Sequence, residues 1–134
     1  MLLTKKASYG LIAAVDLARR PDAEPVSARC IAERYDLPSP FVEKILHELK
    51  TAGVVYAMQG RYGGYCLARG PEEISVRDIL VGLGESLELV GCLTSKESSC
   101  HIQDACPTRS LWQQINHRFV SLLDSLTLAD VANP

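Results

Sequence analysis

The sequence predicts a mainly α-helical chain carrying one small β-hairpin. Three observations predict it. Apolar residues recur at helical spacing in three successive segments of the first half. Two β-prone runs follow directly, on either side of a loop holding Gly60, Gly63 and Gly64, which is a hairpin signal. Nearer the end, Leu111, Ile115, Phe119, Leu122 and Leu126 step by four, four, three and four residues, a single long apolar stripe. The chain has 134 residues, 47% hydrophobic and 22% charged. That is enough core for one domain, or for one small domain with an oligomerisation element, and the composition is not that of a disordered tail. No apolar run approaches the roughly 20 residues of a membrane helix, which excludes such a span.

Thr4 is the expected cap of the first helix, which runs to about Arg19 with Ala7, Leu11, Ala14, Val15 and Ala18 on its apolar face and is closed by Pro21. Residues 22–25 form a turn. Ser27 caps a short helix reaching about Tyr35, with Ile31 and Ala32 inward. Asp36, Leu37 and Pro38 connect it to a third helix, for which Ser39 is the expected N-cap and Pro40 the first helical residue. This helix places Val42, Ile45, Leu46 and Leu49 inward and stops at Gly53. It leaves Phe41, Glu43, Lys44, His47 and Lys50 outward. The hairpin strands are expected over 54–58 and 65–68.

Pro71 marks a boundary between residues 1–71 and residues 72–134. Behind it Ser75 caps a helix over Val76, Ile79, Leu80 and Leu83. Residues 89–105 have no helical or strand period. The long stripe then makes a helix of about five turns, broadened by Trp112 and Leu123. So few elements remain to cover that stripe that a second copy of the chain is its expected partner, giving a homodimer. The last few residues are expected to fray.

The formal net charge is −2, but it is unevenly spread. Residues 1–69 carry ten Lys and Arg against seven Asp and Glu, a net of +3. Residues 70–134 carry four against nine, a net of −5. A basic front and an acidic back indicate one surface suited to a polyanion and one that is not. Two short helices followed at once by a hairpin make a winged helix-turn-helix. In that motif the second helix enters the major groove of double-stranded DNA and the hairpin loop reaches the backbone or the minor groove. Phosphate contacts then fall to Lys5, Lys6, Lys44, Lys50 and Arg61, with Tyr62 beside Arg61 in the loop. Base reading falls to the start of the recognition helix: Ser39, Pro40, Phe41 and above all Glu43. A carboxylate there accepts from cytosine N4 while repelling phosphate. Two copies would present two such helices to a pseudo-palindromic site. The opening residues faintly imitate a secretory signal. However, Ser8, Tyr9 and Gly10 dilute the apolar stretch and Asp16 ends it, so the expected compartment is the cytoplasm.

Five cysteines, an odd number, argue against a disulfide framework. Cys30, on the inner side of the second helix, and Cys66, in a strand, read as buried small apolar residues. Cys92, Cys100 and Cys106 differ. They lie in a polar loop after Gly91 with too few apolar residues to bury them. Three thiols in so short a loop, directly before a helix, point to metal. Cys106 is expected at the N-cap and Pro107 at the first helical position, where the positive end of the helix stabilises a thiolate. The spacing leaves open structural zinc, with His101 completing a Cys3His set, an iron–sulfur cluster, and three inert loop thiols.

Four stretches resemble the Rrf2 family of bacterial regulators: Leu3-Thr4-Lys5-Lys6 with Tyr9, Phe41-Val42-Glu43-Lys44-Ile45-Leu46, Gly60-Arg61-Tyr62-Gly63-Gly64-Tyr65, and Cys106-Pro107-Thr108-Arg109-Ser110-Leu111-Trp112. Their order and spacing cover nearly the whole chain. A glycine-rich wing paired with a three-cysteine loop is more specific than either alone. The resemblance implies a winged-helix domain joined to a long dimerisation helix. It also implies that Cys92, Cys100 and Cys106 ligate an iron–sulfur cluster that tunes DNA binding in response to iron, redox state or nitric oxide. Where one branch has a histidine ligand this chain has Arg109, and where another has a carboxylate from the partner's first helix it has Ser8. The fourth ligand, and with it the choice between 2Fe–2S and 4Fe–4S, is therefore open among His101, Asp104, His117, solvent and a small thiol. Gln59 stands where the cluster-biogenesis branch has a wing arginine. The alternative is a cluster-free or zinc-bound regulator of the same fold, controlled by a small effector or a partner protein. An enzyme is the weakest reading, since Gly60, Gly63 and Gly64 are not followed by a helix as a P-loop requires.

Overall fold

Thr4 opens the first helix as expected, its hydroxyl accepting the Ala7 N–H at 3.2 Å, and α1 runs over Lys5–Ala18. The computed structural model describes residues 3–20, 24–93, 102 and 105–132. After α1 come α2 (Ala28–Tyr35), α3 (Ser39–Thr51), the strands β1 (Val55–Met58) and β2 (Gly64–Leu67), then α4 (Val76–Gly82), α5 (Arg109–Ser125) and α6 (Leu128–Ala132). The strands pair antiparallel, with Val55 opposite Leu67 and Met58 opposite Gly64. The chain is mainly α with a small hairpin wing.

The inward faces predicted for α2 and α3 meet α1 around one core. Ile31, Val42, Ile45, Leu46 and Leu49 are all but inaccessible, and Val54 and Val55 close the side under the hairpin. Burying each such side chain contributes about 1.5–3 kcal/mol, and this outweighs the cost of ordering these short helices. Ile74, Ile79, Leu83 and Leu128 belong to the same cluster, so α4 and α6 pack onto the front helices. Gly10 makes that packing close: a Cβ there would lie 2.3 Å from Leu83 Cδ1.

Several local expectations need correction. Ser39 is the first residue of α3, not its cap. The Phe41 and Val42 N–H groups both reach the Pro38 carbonyl at 3.1 Å, so helical bonding starts one residue earlier. Pro40 still sits in the first turn, where it forfeits no helical bond. Cys30 is exposed, not buried. Helix α2 buries Ala28, Ile31 and Ala32, and a turn of 100° per residue carries position 30 to the opposite side. Cys106 does not cap α5 and Pro107 is not in it; the helix starts at Arg109, with the Thr108 carbonyl accepting the Trp112 N–H at 3.0 Å. Leu126 lies just past α5 in extended conformation. Past the stripe the chain adds a short helix that the sequence reading did not place. Thr127 and Asp130 cap each other, the Leu128 N–H donates to the Ile74 carbonyl at 2.9 Å, and Leu128 is fully buried.

Candidate nucleic-acid interface and cysteine loop

The helix-turn-helix places the predicted groove residues on one exposed face. Ser39 and Pro40 stand exposed at the first turn of α3, followed by Glu43, Lys44, His47 and Lys50 at helical spacing. Phe41 turns away from that face. It is half-buried, its ring edge-on to Tyr9 at 5.6 Å, and it fixes the start of α3 against α1. Lys5 is exposed, whereas Lys6 makes a 3.3 Å ion pair with Glu48 that ties α1 to α3.

Sequence reasoning missed the link between wing and recognition helix. The Tyr65 hydroxyl donates to Glu43 Oε1 at 3.3 Å. Partial burial, together with the Glu43 charge, raises the Tyr65 pKa. Glu43 is thus held by β2 rather than by His47. The hairpin is itself anchored before α2, where Val26 and Tyr65 exchange backbone hydrogen bonds at 3.0 and 2.8 Å. Gly64 allows that approach, since a Cβ there would lie 2.5 Å from the Val26 carbonyl carbon. Gly60, at φ 118°, takes the turn conformation that glycine adopts most easily. On either side of it Gln59, Arg61 and Tyr62 project into solvent, the Arg61 guanidinium 5.8 Å from the Tyr62 ring centre.

Behind the interface, Asp16 is buried and accepts from Arg34 at 2.5 Å, Tyr35 at 2.7 Å and Arg20 at 3.3 Å. Burial alone would raise its carboxyl pKa. The bonds from Tyr35, Arg34 and Arg20 outweigh that and hold it below the ordinary carboxylate range.

The cysteine loop leaves α4 and returns at α5. Its approach is pinned to the long helix by the Leu89 N–H, which donates to Asn116 Oδ1 at 2.6 Å. Cys92 and Cys106 are both half-exposed. The Thr108 hydroxyl, 3.3 Å from Cys106 Sγ, lowers that thiol's pKa, aided by the Thr108 and Arg109 backbone and the Arg109 charge. These are accessible thiols in a polar setting, one of them tuned toward thiolate, and that chemistry suits a soft metal centre. Cys100, His101 and Asp104 lie outside the described residues. Among the described residues, no three His, Cys, Asp or Glu side chains converge on one point. His117 is exposed on α5. That helix buries none of its residues within the chain, and Leu111, Trp112, Ile115 and Leu122 are exposed along it.

A family model described as Rrf2, iron-dependent transcriptional regulator, matches residues 3–134. The chain belongs to the Rrf2 family. Among relatives, a protein of Synechocystis sp. named as an HTH-type transcriptional regulator is 43% identical over 131 residues, 98% of this chain and 87% of that one. Among solved structures, CymR of B. subtilis, described as its global cysteine regulator, gives a TM-score of 0.81 at 31% identity. That match covers 98% of this chain and 96% of CymR. IscR of T. potens gives 0.74 at 35% identity over 98% of this chain and 85% of its own. The chain is accordingly an Rrf2 transcriptional regulator with a DNA-binding winged-helix fold. No helix among its described residues is long and apolar enough to cross a membrane.

Proposed function

We propose that this regulator binds a pseudo-palindromic operator as a homodimer, and that its affinity is modulated by an iron–sulfur cluster ligated by Cys92, Cys100 and Cys106, the fourth ligand coming from His101, Asp104, His117, solvent or a small thiol. The observation that supports this best is the placement of the thiols. Cys92 and Cys106 lie in the connection between α4 and α5, that connection is tied to α5 through Asn116, and α5 is the helix whose apolar stripe is uncovered within the chain. A bound cluster supplies a thiolate-held bridge that iron supply, oxidants or nitric oxide can remove. Arg109, at the position filled by histidine in one branch, has no lone pair to donate to iron.

In this reading residues 1–71 meet DNA and residues 72–134 sense and dimerise. Lys5, Lys44, Lys50 and Arg61 neutralise phosphates, while Lys6 contributes through its ion pair with Glu48. Ser39, Pro40 and Glu43 face base edges, Phe41 sets the helix that carries them, and Gln59 and Tyr62 accompany Arg61 in the wing. Asn116 and the α5 stripe pass the state of the cysteine loop to the spacing of the two recognition helices.

Iron and sulfide analysis with Mössbauer spectroscopy on anaerobically purified protein tests the reading. It predicts iron and sulfide in equal amounts, lost on Cys92→Ala, Cys100→Ala or Cys106→Ala. Colourless protein without iron overturns it. The likeness to CymR over nearly its whole length favours a second reading, a cluster-free regulator answering a small effector or a partner protein. Iron-free protein that binds DNA at full strength is the result that reading predicts.

A further inference from the structure

A cleft of about 660 Å³ opens where three elements meet, and α3 contributes nothing to its lining. Arg20 enters it from just past α1, Arg34 from α2 and Arg61 from the wing turn, with Ser27, Cys30 and the carboxylate of Glu24 between them. The two inner guanidiniums share one counterion. Arg34 binds Asp16 at 2.5 Å, Arg20 reaches the same carboxylate only at 3.3–3.4 Å, and the buried Arg20 Nε has no hydrogen-bond partner among the described residues. Arg61 adds a third guanidinium, so among the described residues three positive charges stand against the two carboxylates of Asp16 and Glu24. Planar guanidinium forks drawn from separate elements match the tetrahedral oxygens of a phosphate group better than a point cation does.

We propose that this cleft seats a phosphate group and that occupancy fixes the wing against α2. The wing turn is built on glycine, with Gly60 at positive φ, so a ligand bridging Arg61 to Arg20 and Arg34 restrains the loop that Arg61 presents to DNA. The phosphate has two possible sources: the backbone of a bound duplex, or a small soluble phosphate ligand. The proposal goes beyond the function proposed above, in which Arg61 alone of the three meets DNA. It does not depend on the cluster.

Cys30 is exposed on the cleft wall and reports occupancy through its alkylation rate, which peptide mapping separates from that of the other cysteines. Full-length protein is labelled with iodoacetamide at constant ionic strength in three conditions: with pyrophosphate, with chloride in its place, and with a duplex selected by the protein from a random pool. A soluble source predicts that pyrophosphate slows Cys30 labelling about threefold at twice its dissociation constant, when a third of the sites remain free. Arg20→Gln abolishes that protection. A backbone source predicts protection by duplex alone, and a salt dependence of DNA binding shallower by about one phosphate contact in Arg20→Gln. Equal labelling in all three conditions overturns the proposal, and so does any protection that Arg20→Gln leaves unchanged, together with an unchanged salt dependence. If Arg20→Gln fails to fold, Arg34→Lys, which keeps the charge beside Asp16 but loses the fork, takes its place with the same expected outcomes.

Discussion

Asp16 shows how one buried carboxylate organises the helix-turn-helix, since it takes donors from just past its own helix and from the end of α2. Asp16→Asn removes the charge but leaves two guanidiniums beside a buried amide, and is expected to destabilise the fold by about 2–3 kcal/mol. Equilibrium urea unfolding measures this. The folded carboxyl titrates below its ordinary value of 3.8, so the unfolded chain binds the proton more readily. Stability from Asp16 is therefore complete above about pH 4 to 5 and falls as pH drops through the folded value. The wild type should lose more stability over that acid range than Asp16→Asn does. In the proposed function Glu43 reads base edges. Glu43→Ala is expected to relax discrimination at one base pair per half-site, worth about 1–3 kcal/mol, as read by binding to a library of single-base operator variants. Its exposure was legible from the apolar face of α3, because at 100° per residue position 43 falls outside the arc spanned by Val42, Ile45, Leu46 and Leu49. Its bond to Tyr65 was not, since sequence periodicity carries no information on contacts between distant elements. Lys6 with Glu48, and Asp16 with Arg34, were hidden for the same reason.

At the scale of elements, the hairpin depends on one close backbone contact. Gly64→Ala would drive a methyl group to 2.5 Å from the Val26 carbonyl carbon and 2.6 Å from its oxygen, and neither atom is free to rotate away. The expected cost is about 1–3 kcal/mol, with weaker DNA binding as the wing detaches. Thermal melting and mobility-shift titration of the variant check both parts. The glycine-rich turn and the caps of α1, α2 and α4 were legible because each is a local signal. The start of α5 was misplaced because Cys106-Pro107 carries the same cap-then-proline signature as a true helix start. The missed α6 had a readable signal in Thr127 ahead of Leu128 and Asp130 three residues after Thr127, but a five-residue helix has too little periodicity to stand out.

For the whole molecule, α5 is the proposed dimer interface. Its stripe of Leu111, Trp112, Ile115 and Leu122 lies exposed along the helix, and an apolar stripe of this kind calls for a covering partner. Ile115→Asp is expected to shift sedimentation from dimer to monomer and to weaken operator binding, because the two half-sites are then no longer bound as one unit. A dimer of unchanged stability would contradict this assignment of the interface. If the state of the cysteine loop sets DNA affinity, a pair of anaerobic titrations of one selected duplex shows it, with iron-loaded protein and with the same protein after chelation. The two dissociation constants are expected to differ by roughly 5- to 150-fold. Superimposed curves would contradict that dependence.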